Sequence, residues 1–230
     1  MLIDRVIAPY FETNCWILAT GVNQECIIVD PGMAKPNLVK SIKEKIAEHN
    51  LKPVAVLITH GHIDHMFSVL PLTKEIPMRT FITASDRFLL TNPMAALDSG
   101  GVSEQLISAF GGNNFAEPSD LIELDDFGNF QIAGLEIESI FAPGHTKGSV
   151  IFTVDNQVLI SGDVLFAGGI GRTDLPTGSA TDMRKTLRDR VLTLPDGLNV
   201  LPGHGRQTTI ATERVSNPYL QSDFLDQSGR

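Results

Sequence analysis

The run Val54–Ile58, V-A-V-L-I, is apolar at every position. A strand with one wet face alternates apolar and polar residues, because successive side chains point to opposite faces. This run does not alternate. Both of its faces must be covered, which predicts a central strand with layers of structure on either side. Directly after it comes T-H-G-H-I-D-H, residues 59–65, with three histidines and an aspartate crowded together. A fully buried strand that ends in a cluster of imidazoles is the feature the rest of the chain must accommodate.

Other apolar, β-branched runs lie at Leu2–Ile7, Cys15–Ala19, Cys26–Val29, Leu135–Phe141, Val150–Val154 and Val158–Ile160. T-G-V-N-Q-E, D-P-G, D-D-F-G-N and D-N-Q read as the turns between them. The early runs are spaced like antiparallel hairpins. A helix is predicted over residues 34–50, with Pro36 near its start and Leu38, Val39, Ile42 and Ile46 on one face. A second covers about residues 181–194, with Met183, Leu187 and Val191 on one face. Between residues 84 and 118, A-S-D-R-F-L-L, P-M-A-A-L-D and V-S-E-Q-L-I-S-A-F read as short helices, in a segment that either covers a site or is a plain surface insertion. No repeat or linker divides the chain, so residues 1–230 are expected to form a single domain. Two halves of similar make-up predict an α/β fold with two sheets face to face and helices outside both, a four-layer αββα sandwich.

The net charge of −9 argues against a general nucleic-acid or anionic-membrane surface. No apolar stretch approaches the roughly 18 residues of a membrane span. The start M-L-I-D-R-V-I-A-P-Y lacks the basic and long apolar regions of a secretion signal. Cys15 and Cys26, each flanked by apolar residues, are expected to be buried and reduced on neighbouring strands. A cytoplasmic location is expected. Oligomeric state leaves no mark in the sequence.

Five of the six histidines sit at strand exits. His60, His62, Asp64 and His65 follow V-L-I-T; His145 lies in A-P-G-H-T; Asp163 lies in I-S-G-D; His204 lies in L-P-G-H-G. The sixth, His49, reads as a solvent-facing residue at the end of a charged helix. Imidazole and carboxylate are the donor set of zinc and related first-row metals. His60 and His62 are two apart, so on an extended backbone both can reach one ion. Seven candidate donors are too many for one ion and suit two, provided one carboxylate bridges. A structural zinc site would use cysteine, and neither cysteine lies near a motif.

His-x-His-x-Asp-His, followed by His145, Asp163 and His204, resembles the metallo-β-lactamase fold superfamily, with all seven positions in order. The resemblance implies two divalent metal ions, zinc first, with iron or manganese as alternatives. His60, His62 and His145 would hold one ion, Asp64, His65 and His204 the other, and Asp163 would bridge. Asp64 would also be catalytic, orienting the attacking hydroxide or taking its proton. Residues 162–179, G-D-V-L-F-A-G-G-I-G-R-T-D-L-P-T-G-S, and the ending P-G-H-G with E-R-V-S-N-P-Y-L-Q are similar to the short bacterial glyoxalase II (hydroxyacylglutathione hydrolase) group. That group implies hydrolysis of a small-molecule thiol thioester such as S-lactoylglutathione to a 2-hydroxy acid and a free thiol. Arg172 is the leading candidate for substrate contact, against an ion pair with Asp174; Lys147 and Arg206 flank donor motifs and are further candidates. The alternatives are a mononuclear iron persulfide dioxygenase, which shares a G-R-T-D element, and another hydrolase of the fold such as a lactonase.

Overall fold

The computed structural model describes residues 1–97, 115–124 and 127–226. Its first sheet contains β1 (Leu2–Ile7), β2 (Asn14–Ala19), β3 (Glu25–Val29), β4 (Lys52–Leu57), β5 (Arg79–Thr83) and β6 (Leu121–Leu124), in that order across the sheet. β1, β2 and β3 pair antiparallel, and β3 through β6 pair parallel. The second sheet contains β7 (Phe127–Ile132), β8 (Leu135–Phe141), β9 (Val150–Val154), β10 (Val158–Gly162), β11 (Asn199–Pro202) and β12 (Thr208–Thr209), neighbour to neighbour. Only β10 and β11 are parallel there.

The burial predicted for V-A-V-L-I is met over Ala55–Ile58, while Val54 is partly buried, and it is realised by alternation between two cores. Ala55 and Leu57 point between the sheets, where Trp16, Leu18, Val29 and Phe81 meet Leu135, Ile137, Phe152 and Ile160. Val56 and Ile58 point outward, with Ile17 and Ile28, onto Ile42 and Ile46 of α1 (Val39–Glu48). On the far side, Ile151, Leu159 and Val200 pack against Met183 and Leu187 of α5 (Ala180–Asp189) and Ile210 of α6 (Ile210–Ser216). These are the four layers: helices, two mixed sheets face to face, helices. Between α1 and α5 lie the shorter α2 (Ile63–Met66), α3 (Val69–Glu75) and α4 (Ala84–Arg87). No described helix is long and apolar enough to cross a membrane.

Several expectations change in detail. The first helix begins at Val39 rather than Ala34: the residue before Pro36 is disfavoured in helical conformation. The amides of Leu38 and Val39 instead bond Ser68 Oγ at 2.8 Å and Asn37 Oδ1 at 3.0 Å. The second ends at Asp189, followed by a 3₁₀ turn over Val191–Thr193. Part of D-D-F-G-N is strand, since β7 starts at Phe127. Ala84–Leu90 and Pro93–Ala96 are short helical turns as expected, while V-S-E-Q-L-I-S-A-F lies outside the described residues, and with it the choice between a cover and a surface insertion. Cys15 and Cys26 are buried, free and on adjacent strands β2 and β3.

Phe152 is fully buried between the sheets. Phe152→Ala is expected to cost about 3–5 kcal/mol of stability, read as a lowered urea midpoint of the metal-free protein.

Candidate metal centre

All seven candidate donors converge at one end of the sandwich, and both sheets supply them. The chain leaves β4 in an extended conformation through His60 and His62, then turns into α2, which carries Asp64 and His65. β8 leads into the loop of His145, Asp163 directly follows β10, and His204 lies two residues past the end of β11. Main-chain bonds join the two sheets here: Val150 N to Thr59 O at 2.9 Å and Asn14 N to Gly203 O at 2.7 Å.

The side chains fall into two groups. In the first, His62 Nδ1 lies 2.8 Å from His145 Nε2, which lies 3.2 Å from His60 Nε2. In the second, His65 Nε2 and His204 Nε2 are 3.1 Å apart, and Asp64 Oδ2 is 3.4 Å and 3.3 Å from them. Asp163 stands between. Its Oδ1 is 3.3 Å from His65 Nε2, and its Oδ2 is 3.4 Å from both His145 Nε2 and His204 Nε2.

Four of the five rings are held from behind. His60 Nδ1 meets Thr59 Oγ1 at 3.0 Å, and His65 Nδ1 meets Asp30 Oδ2 at 3.0 Å. His145 Nδ1 donates to the carbonyl of Arg172 at 2.7 Å, and His204 Nδ1 donates to that of Phe11 at 2.9 Å. A carbonyl only accepts, so the last two rings must carry a proton on Nδ1. Threonine and aspartate bonds of this kind orient a ring and raise its basicity. Asp163 Oδ1 is buried without a hydrogen-bond partner. Buried lone pairs left facing one another are costly. A divalent cation would satisfy all of them at once, and nitrogen and oxygen donors of this kind suit one.

Charge divides the groups. Burial and the neighbouring imidazoles push His60 well below its ordinary range and bring His62 down to about 3, so both rings are neutral. Burial opposes charge on His65 as well, but the carboxylates of Asp163, Asp64 and Asp30 outweigh it and push this ring up to about 9. His204 rises to about 10, where burial is outweighed by hydrogen bonds and charge from Asp163 and Asp64. Burial alone would raise both carboxyls, yet His65 and His204 hold Asp64 well below the usual range and bring Asp163 to about 2.

Glycines permit this density. A Cβ on Gly203 would overlap the Asp163 carboxylate and the His65 ring, and one on Gly171 would overlap the Asp163 carbonyl and the His145 ring.

Sequence reasoning missed the supports. Asp30, read as part of a D-P-G turn, is buried and accepts from Thr59 N at 2.8 Å and Thr59 Oγ1 at 2.6 Å besides meeting His65. The available signal was its place: like the donors, it follows an apolar strand run. Thr13 Oγ1 donates to Asp64 Oδ2 at 3.0 Å. Among the substrate candidates, Arg172 pairs with Asp174 through two bonds of 2.8 and 2.7 Å, the alternative the sequence had raised, while its carbonyl holds His145. Lys147 and Arg206 are exposed beside the donor loops. His49 is not simply solvent-facing. It is half-buried at the end of α1, with Nε2 2.8 Å from Asp4 Oδ2, in a cluster that Lys45 already shares.

The family pattern described as the metallo-beta-lactamase superfamily matches residues 8–204. An uncharacterized protein of Mycobacterium tuberculosis is 38% identical over 96% of this chain and 98% of its own length. A hydroxyacylglutathione hydrolase of Haemophilus influenzae is 33% identical over 96% of this chain and 99% of its own. Among solved structures, the BLEG-1 B3 metallo-beta-lactamase superposes with a TM-score of 0.81 at 30% identity, covering 95% of this chain and 99% of that one. The di-iron-bound form of TTHA1623 superposes with a TM-score of 0.73 at 28% identity, covering 94% and 100%.

Protons on His65 and His204 compete with metal. Raising pH strips them, so zinc affinity at the Asp64, His65 and His204 group is expected to climb through the neutral range. Loading the metal-free protein near neutral pH is expected to release about two protons. Calorimetry in buffers of different ionisation enthalpy measures that number.

Proposed function

The chain belongs to the metallo-beta-lactamase superfamily, and from that premise we propose that it is a dinuclear metal-dependent hydrolase of small 2-hydroxyacyl thioesters, releasing a 2-hydroxy acid and a free thiol. The observation that carries the dinuclear part is the position of Asp163, whose carboxylate reaches both groups of rings: Oδ1 lies by His65, and Oδ2 lies between His145 and His204. His60, His62 and His145 would hold one divalent ion, and Asp64, His65 and His204 the other. Zinc is the leading candidate, with iron or manganese as alternatives, and the di-iron form of TTHA1623 supports iron in a related scaffold. Bound there, such ions supply Lewis acidity for a carbonyl oxygen and lower the pKa of water enough for attack at neutral pH. No serine or cysteine nucleophile is then needed.

The chain's own residues do the rest. Asp64 is oriented through Oδ2 by Thr13, which positions its carboxylate to align the attacking water or accept its proton. The main-chain carbonyls of Arg172 and Phe11 keep the His145 and His204 rings in one tautomer throughout turnover. His204 is the most exposed of the five rings in the centre, with 26% of its side chain open, so substrate approaches from its side. Arg172 exchanges Asp174 for a carboxylate of the thiol carrier, a match for its planar guanidinium. Lys147 and Arg206 add positive charge at the rim. The name of the Haemophilus influenzae relative and the P-G-H-G ending support a thioester of a small anionic thiol over a lactone or a persulfide. The substrate is a cytoplasmic small molecule, with no nucleic acid or membrane partner.

Metal-loaded protein is expected to release free thiol from S-lactoylglutathione, followed with a thiol reagent. Absence of turnover on every hydroxyacyl thioester with two metals bound would overturn the proposal, as would turnover of a β-lactam in their place. Asp163→Ala is expected to lower metal content from two ions per chain and cut turnover by more than the roughly 10–100-fold typical of losing an outer hydrogen bond. Arg172→Ala is expected to raise KM for the glutathione thioester several-fold with little change in kcat. The same variant should leave KM for a thioester of an uncharged thiol unaltered.

A further inference from the structure

Behind the His60, His62 and His145 group lies a carboxylate that the proposed chemistry does not use. Asp86, in α4, is fully buried. Its Oδ2 accepts from Gly61 N at 2.8 Å and from Thr146 Oγ1 at 2.7 Å, and its Oδ1 accepts from Gly148 N at 2.8 Å. Each donor neighbours a candidate ligand of one group. Gly61 separates His60 from His62; Thr146 follows His145; Gly148 closes the same loop. None belongs to the Asp64, His65 and His204 group, whose support is Asp30 bonded to Thr59 and His65.

The contact is built closely. A Cβ on Gly148 would overlap the Asp86 carboxylate and Thr83 Oγ1, and a Cβ on Gly61 would strike Leu89, three residues beyond Asp86. The two loops that Asp86 joins come from different sheets, one leaving β4 and one leaving β8. A buried charge costs more than a neutral acceptor would. Asparagine, however, has one accepting oxygen and an amide group that only donates, so it would lose either the Gly148 bond or the Gly61 and Thr146 bonds. The three-histidine group also contains no carboxylate of its own.

We infer that Asp86 is a positioning residue that fixes the spacing of the His60–His62 loop against the His145 loop and thereby sets metal affinity at that half of the centre alone. The inference rests on the reading that these three histidines hold a metal, and its test separates the two. Zinc binding is measured by competition with a chromophoric chelator in His204→Ala protein, which keeps the three-histidine group, and in His62→Ala protein, which keeps the other.

Adding Asp86→Asn is expected to weaken zinc about 10–100-fold in the His204→Ala background. In the His62→Ala background it should stay within about twofold. Thr146→Val, which removes one of the three bonds, should give a smaller loss with the same selectivity, and it carries the comparison alone if Asp86→Asn fails to fold. Equal weakening in both backgrounds would make Asp86 a general stabiliser and overturn the inference. Unchanged affinity in both would overturn it as well. Failure of the His204→Ala parent to bind zinc at all would instead remove the metal assignment of the three histidines, and the role of Asp86 with it.

Discussion

The arrangement on which the structure depends is a set of lone pairs aimed at one another. Imidazole nitrogens 2.8 to 3.2 Å apart, with no solvent between most of them, do not stay so by attraction. His62 Nε2 is buried without a partner, but the other four rings would turn away if their far nitrogens were free. The scaffold prevents this by bonding those nitrogens to groups that cannot move: a threonine on the β4 exit, an aspartate on the β3 exit, and two main-chain carbonyls in loops. Those supports belong to both sheets. Face-to-face packing over Leu57, Phe81 and Phe152 is therefore a condition of the site as well as of stability.

The two groups of donors solve the problem of burial differently. The Asp64, His65 and His204 group compensates internally, since protonated rings sit against carboxylates that hold their protons. The His60, His62 and His145 group has only neutral rings at His60 and His62, and the shared Asp163 meets it at His145. A cation entering the first must displace protons, whereas one entering the second meets lone pairs already free. The asymmetry follows from where the carboxylates stand: Asp64, in the first turn of α2, and Asp30 join Asp163 around His65.

The donors were legible in the sequence because their chemistry is specific to residue type. Three imidazoles and a carboxylate in six positions have few uses other than metal, and V-A-V-L-I declared its own burial. The supports were not legible for a physical reason. Asp30 and Asp86 look like ordinary turn and helix-start residues, and their meaning lies in partners such as Thr59, Gly61 and Thr146 that are far along the chain. β5 was missed because R-T-F-I-T is short and gains its strand character from pairing with neighbours rather than from its own pattern. β7 was partly read as a turn because Asp, Gly and Asn dominate its start, yet its register against β8 runs unbroken from Phe127 to Ile132.

The C-terminal stretch E-R-V-S-N gains a physical role from the loop that it grips. Residues 163–172 touch both groups of donors: Asp163 stands between them, the Phe166 ring meets the His204 ring edge-on at 5.9 Å, and the Arg172 carbonyl holds His145. The middle of that loop is pinned from α6. Glu213, buried, accepts from Gly168 N at 2.7 Å and from Asn217 Nδ2 at 2.9 Å, and Asn217 also donates to the Gly169 carbonyl at 3.1 Å. Thr208 Oγ1 fills the other Glu213 oxygen at 2.6 Å. A buried carboxylate with both oxygens committed resists displacement more than apolar packing would, because losing a partner leaves a buried charge less compensated. The chain continues past His204 into β12 and α6 for a reason that its composition hides. Those elements carry the clamp that keeps one loop in register with both halves of the centre.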